Sequence, residues 1–149
     1  MPLDPQARSL LDAEAARGAT PVHQLSVEQA RHTVETGAPA LFGPLDPVAS
    51  VENRVVSGPL GGIPIRISTP VEARRPLPAV VYFHGGGWVV GSLDTHDGIC
   101  RALARRSGSV VVAVDYRLAP EHRFPAAVED AWAATSWVSA HAAELGADR

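Results

Sequence analysis

The sequence predicts an α/β fold with a mostly parallel sheet, and three observations lead to this prediction. Two continuous apolar runs are typical of strands buried on both faces: PAVVYF, ending at residue 83, and SVVVAV, ending at residue 114. Each run is followed by a stretch with helical character, as in a parallel sheet flanked by helices. Ahead of them, GPLG joins the β-branched segments VENRVVS and GIPIRIS, which predicts an antiparallel hairpin near residues 51–68.

Two short helices are predicted before the hairpin. The first is DPQARSLLDAEAARG, which has helical spacings and ends at Gly18. The second is LSVEQARHTVE, in which Ser26 and Gln29 form a capping-box pattern. Residues 36–50 are rich in Pro and Gly, so we expect a linker or an ordered loop there.

Two more helices are predicted after the apolar strands. DTHDGICRALARRSG should begin at a cap provided by Asp94 or Thr95 and end at Gly108. Its predicted inward residues are Ile99, Cys100, Leu103 and Ala104. The last helix should begin near Pro125. Its predicted apolar face consists of Val128, Ala131, Trp132, Thr135 and Val138, so Trp132 and Trp137 are interpreted as packing residues.

Composition excludes several classes of function. The 149 residues are 46% hydrophobic and 19% charged, as in a globular domain. The net charge of −3, without a run of Lys or Arg, provides no footprint for nucleic acid. The single cysteine excludes an internal disulfide, and the six histidines lack metal-binding spacing. We therefore expect no metal, no cofactor and no nucleic-acid partner.

The sequence also predicts a cytoplasmic protein without a membrane span. No stretch approaches the roughly 18 apolar residues that a spanning helix needs. Met1 is followed by Pro2, Asp4 and Pro5 rather than by the basic and apolar regions of a secretory signal.

The most informative segment is HGGGW, residues His84 to Trp88, at the carboxyl end of the first apolar strand. Ligands of open α/β sheets bind outside the carboxyl ends of strands. Three glycines in a row lose much backbone entropy on folding, so we expect a positive φ or a close backbone approach to require them. Their unshielded N–H groups can donate to a developing oxyanion. The patterns of phosphate loops and dinucleotide folds are absent from the sequence.

HGGGW resembles the HGGG oxyanion loop of lipases and esterases with the α/β-hydrolase fold. A second match is to the hormone-sensitive-lipase group, or family IV esterases, whose DYRLAPE..FPAA...D segment resembles residues 115–130, DYRLAPEHRFPAAVED. GSLDTHDGICRALA between the two motifs is also similar to that group. DPQARSLLD and LSVEQAR resemble its cap helices. The resemblance implies cap helices and linker over residues 1–45, and a partial hydrolase core of four strands and two core helices over residues 46–149.

The resemblance also implies roles for single residues. The backbone N–H groups of Gly85 and Gly86 would be the oxyanion donors, Gly87 would shape the loop, and His84 would brace it. Trp88 would flank the acyl or alcohol pocket. The implied activity is that of a serine carboxylic ester hydrolase, an esterase or lipase acting on small esters with short or medium acyl chains.

The serine nucleophile of that group lies in a GxSxG elbow, and none of the ten serines here has this context. We therefore expect the chain to correspond to the N-terminal half of such an enzyme, with its nucleophile, acid and base beyond Arg149, and to be inactive alone. Ser92 and Ser109 are interpreted as loop residues. The other polar candidates are interpreted as structural: His84, His96, His122 and Asp115, with Arg117 and Glu121 forming a salt bridge.

Three alternatives remain open at this stage. The same superfamily contains hormone receptors that keep the pocket and lose catalysis, so a non-catalytic receptor fits the motifs. An amidase or formamidase would use the same machinery. A second polypeptide could supply the remaining strands and the triad. In the family's strand order the third strand pairs with the fifth, so VVYF would be an exposed edge, and we expect self-association.

Overall fold

The protein is described by a computed structural model that covers residues 2–18, 20–71 and 76–148. Its helices are α1 (Pro5–Ala16), α2 (Val27–Phe42), α3 (Asp97–Ser107) and α4 (Ala126–Ala140), with a short 3₁₀ turn at Val22–Gln24. Its strands are β1 (Ser50–Gly58), β2 (Gly61–Thr69), β3 (Ala79–Phe83) and β4 (Val110–Val114).

The four strands form one mixed sheet in the order β1-β2-β4-β3. The predicted hairpin is present, because β1 and β2 pair antiparallel from Ser50 opposite Thr69 to Gly58 opposite Gly61. β4 pairs antiparallel with β2 and parallel with β3. A parallel pair fed by an antiparallel hairpin and flanked by helices confirms the predicted fold class.

The core lies on both faces of β4, all five residues of which are buried. Side chains alternate between the faces of a strand. Val110, Val112 and Val114 pack in one cluster with Ala134 and Val138 of α4. Val111 and Ala113 pack in a second cluster with Cys100 and Ala104 of α3. Each fully buried valine contributes about 1.5–3 kcal/mol, so this strand anchors the two helices to the sheet.

α2 is longer than the sequence predicts. Its start is as expected: Gln29 N donates to Ser26 Oγ at 3.2 Å, and Ser26 N donates to Gln29 Oε1 at 3.0 Å. The prediction of a linker from residue 36 is wrong for its first part, because the helix continues through Pro39 to Phe42. Ala30 and Ala38 are both buried, and tertiary packing of this kind can override the unfavourable helix propensity of Pro39.

The predicted caps of α3 are wrong, although its end is correct. The N-cap is His96, and its side chain makes no capping hydrogen bond. Thr95 and Ser92 instead bond each other, with Ser92 N donating to Thr95 Oγ1 at 2.8 Å. Gly108 ends the helix in the left-handed conformation, as expected. Of the predicted inward residues, Cys100 and Ala104 are buried, Ile99 is partly buried, and Leu103 is exposed.

The predicted buried face of α4 is largely wrong. Val128 and Trp132 are 56% and 75% exposed, so Trp132 is not a packing residue. The buried residues are Ala126, Asp130, Ala134 and Val138, four residues apart. Small side chains let the helix approach the sheet, and Asp130 turns inward because its carboxylate accepts three hydrogen bonds from Arg117. Trp137 does pack against the core and stacks on His141.

The two edges of the described sheet differ in charge. β1 carries Glu52 and Arg54, whose side chains form an ion pair at 2.7 Å. β3 has the sequence AVVYF and no charged residue. Residues 146–148 pair with Leu77 just before β3, where Asp148 N donates to the Leu77 carbonyl oxygen at 2.7 Å. Among the described residues no strand covers the edge from Ala79 to Phe83. Uncharged, unpaired edges of this kind invite association.

We expect the 149-residue polypeptide to self-associate through β3. The substitution Ala79→Lys places a charge at an exposed position of this edge and should shift the protein toward monomer in sedimentation velocity. Val55→Lys, at an exposed position of β1, is the matched control and should leave the association unchanged. A wild-type chain that stays monomeric and unfolds in one sharp transition would refute this expectation.

Candidate active site

The HGGGW segment lies where two parallel strands end. It follows β3 directly, and Asp115 and Tyr116 follow β4 at the same edge of the sheet. The carboxyl ends of parallel strands form the ligand-binding edge of open α/β sheets. We call residues 84–91 the glycine loop.

Close backbone contacts explain two of the glycines in this loop. Gly86 has a φ of 128°, and a Cβ on it would lie 1.9 Å from the Val90 carbonyl oxygen. Gly91 has a φ of 99°, and a Cβ there would lie 2.5 Å from His84 Nδ1. The N–H groups of Val89 and Val90 both donate to the Gly86 carbonyl oxygen at 3.1 Å. The loop is thus a tight turn in which a larger residue at either position would collide with the backbone or with His84.

Trp88 is unusual, because it is the non-glycine residue with a positive φ, 61°, in the described chain. Left-handed backbone at a bulky residue is strained and persists only where neighbours hold it. Here the Trp88 carbonyl oxygen accepts a hydrogen bond of 2.8 Å from Ala119 N. The side chain itself is 65% exposed. The strain at Trp88 therefore indicates that contacts with residues outside the glycine loop, such as Ala119, fix the position of the loop.

The N–H groups of Gly85 and Gly86 are available as donors. In the parts of the chain that the structure describes, neither has a hydrogen-bond acceptor. Both residues border a cavity of about 380 Å³. Its other walls are formed by the rest of the loop, the ends of the two strands and α4, through Phe83, His84, Gly87, Trp88, Tyr116, Ala127, Val128 and Ala131. Free donors beside a mostly apolar cavity can stabilise a developing negative charge on oxygen.

His84, the first residue of the glycine loop, is buried, at 5% exposure. Its ring stacks on Tyr116 with centroids 4.3 Å apart, and the Tyr116 hydroxyl donates to the His84 carbonyl oxygen at 2.6 Å. Nδ1 lies 2.8 Å from the Gly85 carbonyl oxygen. A carbonyl only accepts, so this contact requires the proton on Nδ1. The ring and the tyrosine thus hold the carbonyl groups of two successive peptides, those of Gly85 and His84.

Two of the histidines interpreted as structural lie beside hydroxyl groups: Thr95 Oγ1 is 2.9 Å from His96 Nδ1, and the Tyr116 hydroxyl is 3.4 Å from His84 Nδ1. Within the described ranges, no serine hydroxyl is hydrogen-bonded to a histidine ring. Burial lowers the pKa of His96, and the nearby His84 lowers it further. Burial raises the pKa of Asp115, which His84 partly offsets. Ser92 Oγ accepts from the backbone of Asp94, as expected of a loop residue.

The predicted Arg117–Glu121 salt bridge is wrong. Arg117 binds Asp130 at 2.8 Å and Glu129 at 3.3 Å instead. Asp130 is 1% exposed and needs a charged partner, which the neighbouring guanidinium provides. Glu121 pairs with Arg31 of α2 at 2.7 Å, and this contact lowers the pKa of Glu121 to about 2. Sequence reasoning missed Arg31, because its partner is 90 residues away.

A second cavity, of about 500 Å³, shares Gly87, Trp88, Ala127 and Val128 with the first. It is lined by Gly87, Trp88, Ala119, His122, Phe124, Pro125, Ala127 and Val128. Trp88 therefore borders both cavities. His122 lines the second cavity.

Among the described residues, no group of three or more His, Cys, Asp and Glu side chains is arranged to bind a metal ion. Likewise, no helix within residues 2–18, 20–71 and 76–148 combines the length and apolarity needed to cross a bilayer. The thiol of Cys100 is buried against Ala104, Val111 and Ala113, and burial raises its pKa to about 12, so it is not a reactive nucleophile.

Comparison with known proteins gives a consistent picture. The α/β-hydrolase fold family matches residues 80–149. The chain is 52% identical over 107 residues to the esterase LipI of Mycobacterium tuberculosis, covering 70% of this chain and 33% of that protein. It is 44% identical over 147 residues to the carboxylesterase NlhH of the same organism, covering 98% and 44%.

A solved esterase from Pyrobaculum calidifontis superposes with a TM-score of 0.89 at 46% identity, covering 99% of this chain and 47% of that one. The chain therefore spans less than half the length of these relatives.

The contacts of the glycine loop predict different costs at adjacent positions. Gly86→Ala should destabilise the fold by about 1–3 kcal/mol, because the new Cβ meets the Val90 carbonyl at a strained φ. Gly85→Ala is the matched control, since a Cβ there has no neighbour within 4 Å. Urea unfolding measures both. Equal free energies of unfolding for the two variants would contradict the loop geometry.

Proposed function

This chain belongs to the hormone-sensitive-lipase group of the α/β-hydrolase fold, and we propose that it provides the oxyanion hole of a serine carboxylic ester hydrolase. The observation that carries the proposal is the pair of unpartnered N–H groups at Gly85 and Gly86 beside an apolar cavity. The esterase and carboxylesterase names of the relatives support the reaction class.

In the proposed reaction a serine hydroxyl attacks the ester carbonyl, and a negative charge develops on the carbonyl oxygen. The N–H groups of Gly85 and Gly86 donate to this oxygen, and loss of one such donor typically slows an enzyme by about 10²–10³. His84 braces the loop through the Gly85 carbonyl, and Gly87 shapes the turn. No serine here has the GxSxG context, so we place the nucleophile, its base and its acid outside these 149 residues.

The cavities suggest the substrate class. Both are mostly apolar, with volumes of about 380 and 500 Å³, and Trp88 lines both. Such spaces suit uncharged small-molecule esters with short or medium acyl chains, with Trp88 separating the acyl and alcohol sides. Helices α1 and α2 would act as the cap that limits chain length.

The proposal can be tested in a chimera. Residues 2–148 would replace the matching segment of the mycobacterial carboxylesterase, which supplies the rest of the enzyme. We expect the chimera to hydrolyse p-nitrophenyl butyrate, and Gly86→Ala to lower kcat by about 10²-fold or more because it displaces the donors. The 149-residue chain alone should not turn over.

Gly108→Ala is the control in the chimera. It also places a side chain at a positive φ, 66°, but at the end of α3 and with no neighbour within 4 Å. Its kcat should match that of the unsubstituted chimera. A folded Gly86→Ala chimera with undiminished kcat would remove the basis for an oxyanion role of this loop.

A further inference from the structure

Arg31 of α2 binds the two loops that bound the site. Its Nε donates to the Val89 carbonyl oxygen at 2.8 Å, and its Nη2 donates to the Ala119 carbonyl oxygen at 3.0 Å. Nη1 and Nη2 also bind the two carboxylate oxygens of Glu121 at 2.8 and 2.7 Å. We call this set, Arg31 with Val89, Ala119 and Glu121, the Arg31 clamp.

The clamp acts on the part of the glycine loop that turns back toward Gly86. Val89, whose carbonyl binds Arg31, donates its own N–H to the Gly86 carbonyl oxygen. Ala119 is bound twice, because its N–H donates to the Trp88 carbonyl oxygen and its carbonyl accepts from Arg31. A continuous set of hydrogen bonds therefore links Arg31 to Gly86, and through Ala119 to the strained Trp88.

The chemistry of the clamp requires a guanidinium group. Two backbone carbonyls and a bidentate carboxylate are bound by one planar side chain, a geometry that a lysine ammonium does not reproduce. The hydrogen bond to Glu121 raises the pKa of Arg31, so the side chain stays charged. Glu121 is largely exposed, and exposed ion pairs contribute little stability by themselves. The two carbonyl bonds are then the contacts that fix the loop.

We propose that Arg31 is a positioning residue for the glycine loop: it holds the Val89 and Ala119 carbonyls so that the N–H groups of Gly85 and Gly86 keep a fixed orientation. The cap helix α2 and the donors are thereby coupled, and displacement of the helix loosens the donors. The inference takes the function of the loop from the proposed oxyanion role, but its structural claim is tested without any activity assay.

Hydrogen–deuterium exchange of the full 149-residue chain, followed by mass spectrometry, tests the clamp. The reporters are the bonded amides of Val89, Val90 and Ala119, in peptides spanning residues 85–92 and 117–122. Arg31→Met removes the hydrogen bonds to the Val89 and Ala119 carbonyl oxygens, so the exchange rate of these amides should rise about tenfold or more. Exchange in β4 should not change.

Arg54→Met is the matched control. Like Arg31, Arg54 pairs with exposed carboxylates, in its case two, Glu52 at 2.7 Å and Glu144 at 2.6 Å, and its side chain is 28% exposed against 31% for Arg31. None of its hydrogen-bond partners in the described chain lies in the glycine loop. We expect exchange of the loop peptides in this variant to match the wild type.

Two further variants separate positioning from a simple ion pair. Arg31→Lys keeps the charge opposite Glu121 but loses the planar set of N–H donors that binds the two carbonyls, so the loop peptides should exchange nearly as fast as in Arg31→Met. Glu121→Gln keeps both carbonyl bonds and should stay close to the wild type. Wild-type exchange in Arg31→Lys, or equal acceleration by Arg31→Met and Arg54→Met, would overturn the proposal, and the lysine variant decides it if the methionine variant does not fold.

Discussion

The approach of the Gly86 backbone to the Val90 carbonyl is the constraint on which the site depends. A Cβ on Gly86 would lie 1.9 Å from the Val90 carbonyl oxygen, so only a hydrogen atom fits there. With glycine at this position the chain reverses within one turn after β3. The reversal places Val89 and Val90 under the Gly86 carbonyl and leaves the N–H groups of Gly85 and Gly86 without partners in the described chain. The same compactness brings Gly91 against His84, so the residue that starts the loop also packs against its end.

The loop can be this tight because the sheet beneath it is rigid. β4 is buried on both faces. Tyr116, two residues after the end of this strand, stacks on His84 and donates a hydrogen bond to its carbonyl oxygen. α4 forms the opposite wall of the cavity, and it is held at the correct depth by the Asp130–Arg117 contact. Two polar contacts just after β4 therefore connect the core to the site: Tyr116 binds His84, and Arg117 binds Asp130. Rigid elements hold donors more precisely than loops alone.

Local sequence signals predicted the parts of this structure that local physics decides. The hairpin, the two apolar strands, the Ser26 capping box and the Gly108 helix end each depend on residues close in sequence, and each is present. The glycine loop was located in the same way, from its place after an apolar strand. Its assignment as an oxyanion hole depends on the family resemblance and remains a proposal.

The errors share a different cause. Helical spacing of the larger residues predicts the wrong face of α4, because the buried contact of Asp130 with Arg117 decides which face turns inward. Arg117 and Glu121 lie in the same loop after β4, which is why the sequence suggests that they pair, whereas the partner of Glu121 is Arg31 on α2, and no pattern in one sequence reports a contact across 90 residues. The length of α2 likewise depends on packing at Ala38 rather than on the propensity of Pro39.

The most direct test of the central claim is a crystal structure of the active chimera inhibited by a phosphonate ester, whose phosphonyl oxygen occupies the position of the oxyanion. We predict that this oxygen lies about 2.7–3.1 Å from the backbone nitrogens of both Gly85 and Gly86. A phosphonyl oxygen bound by other groups, with these two N–H groups directed away from it, would contradict the account.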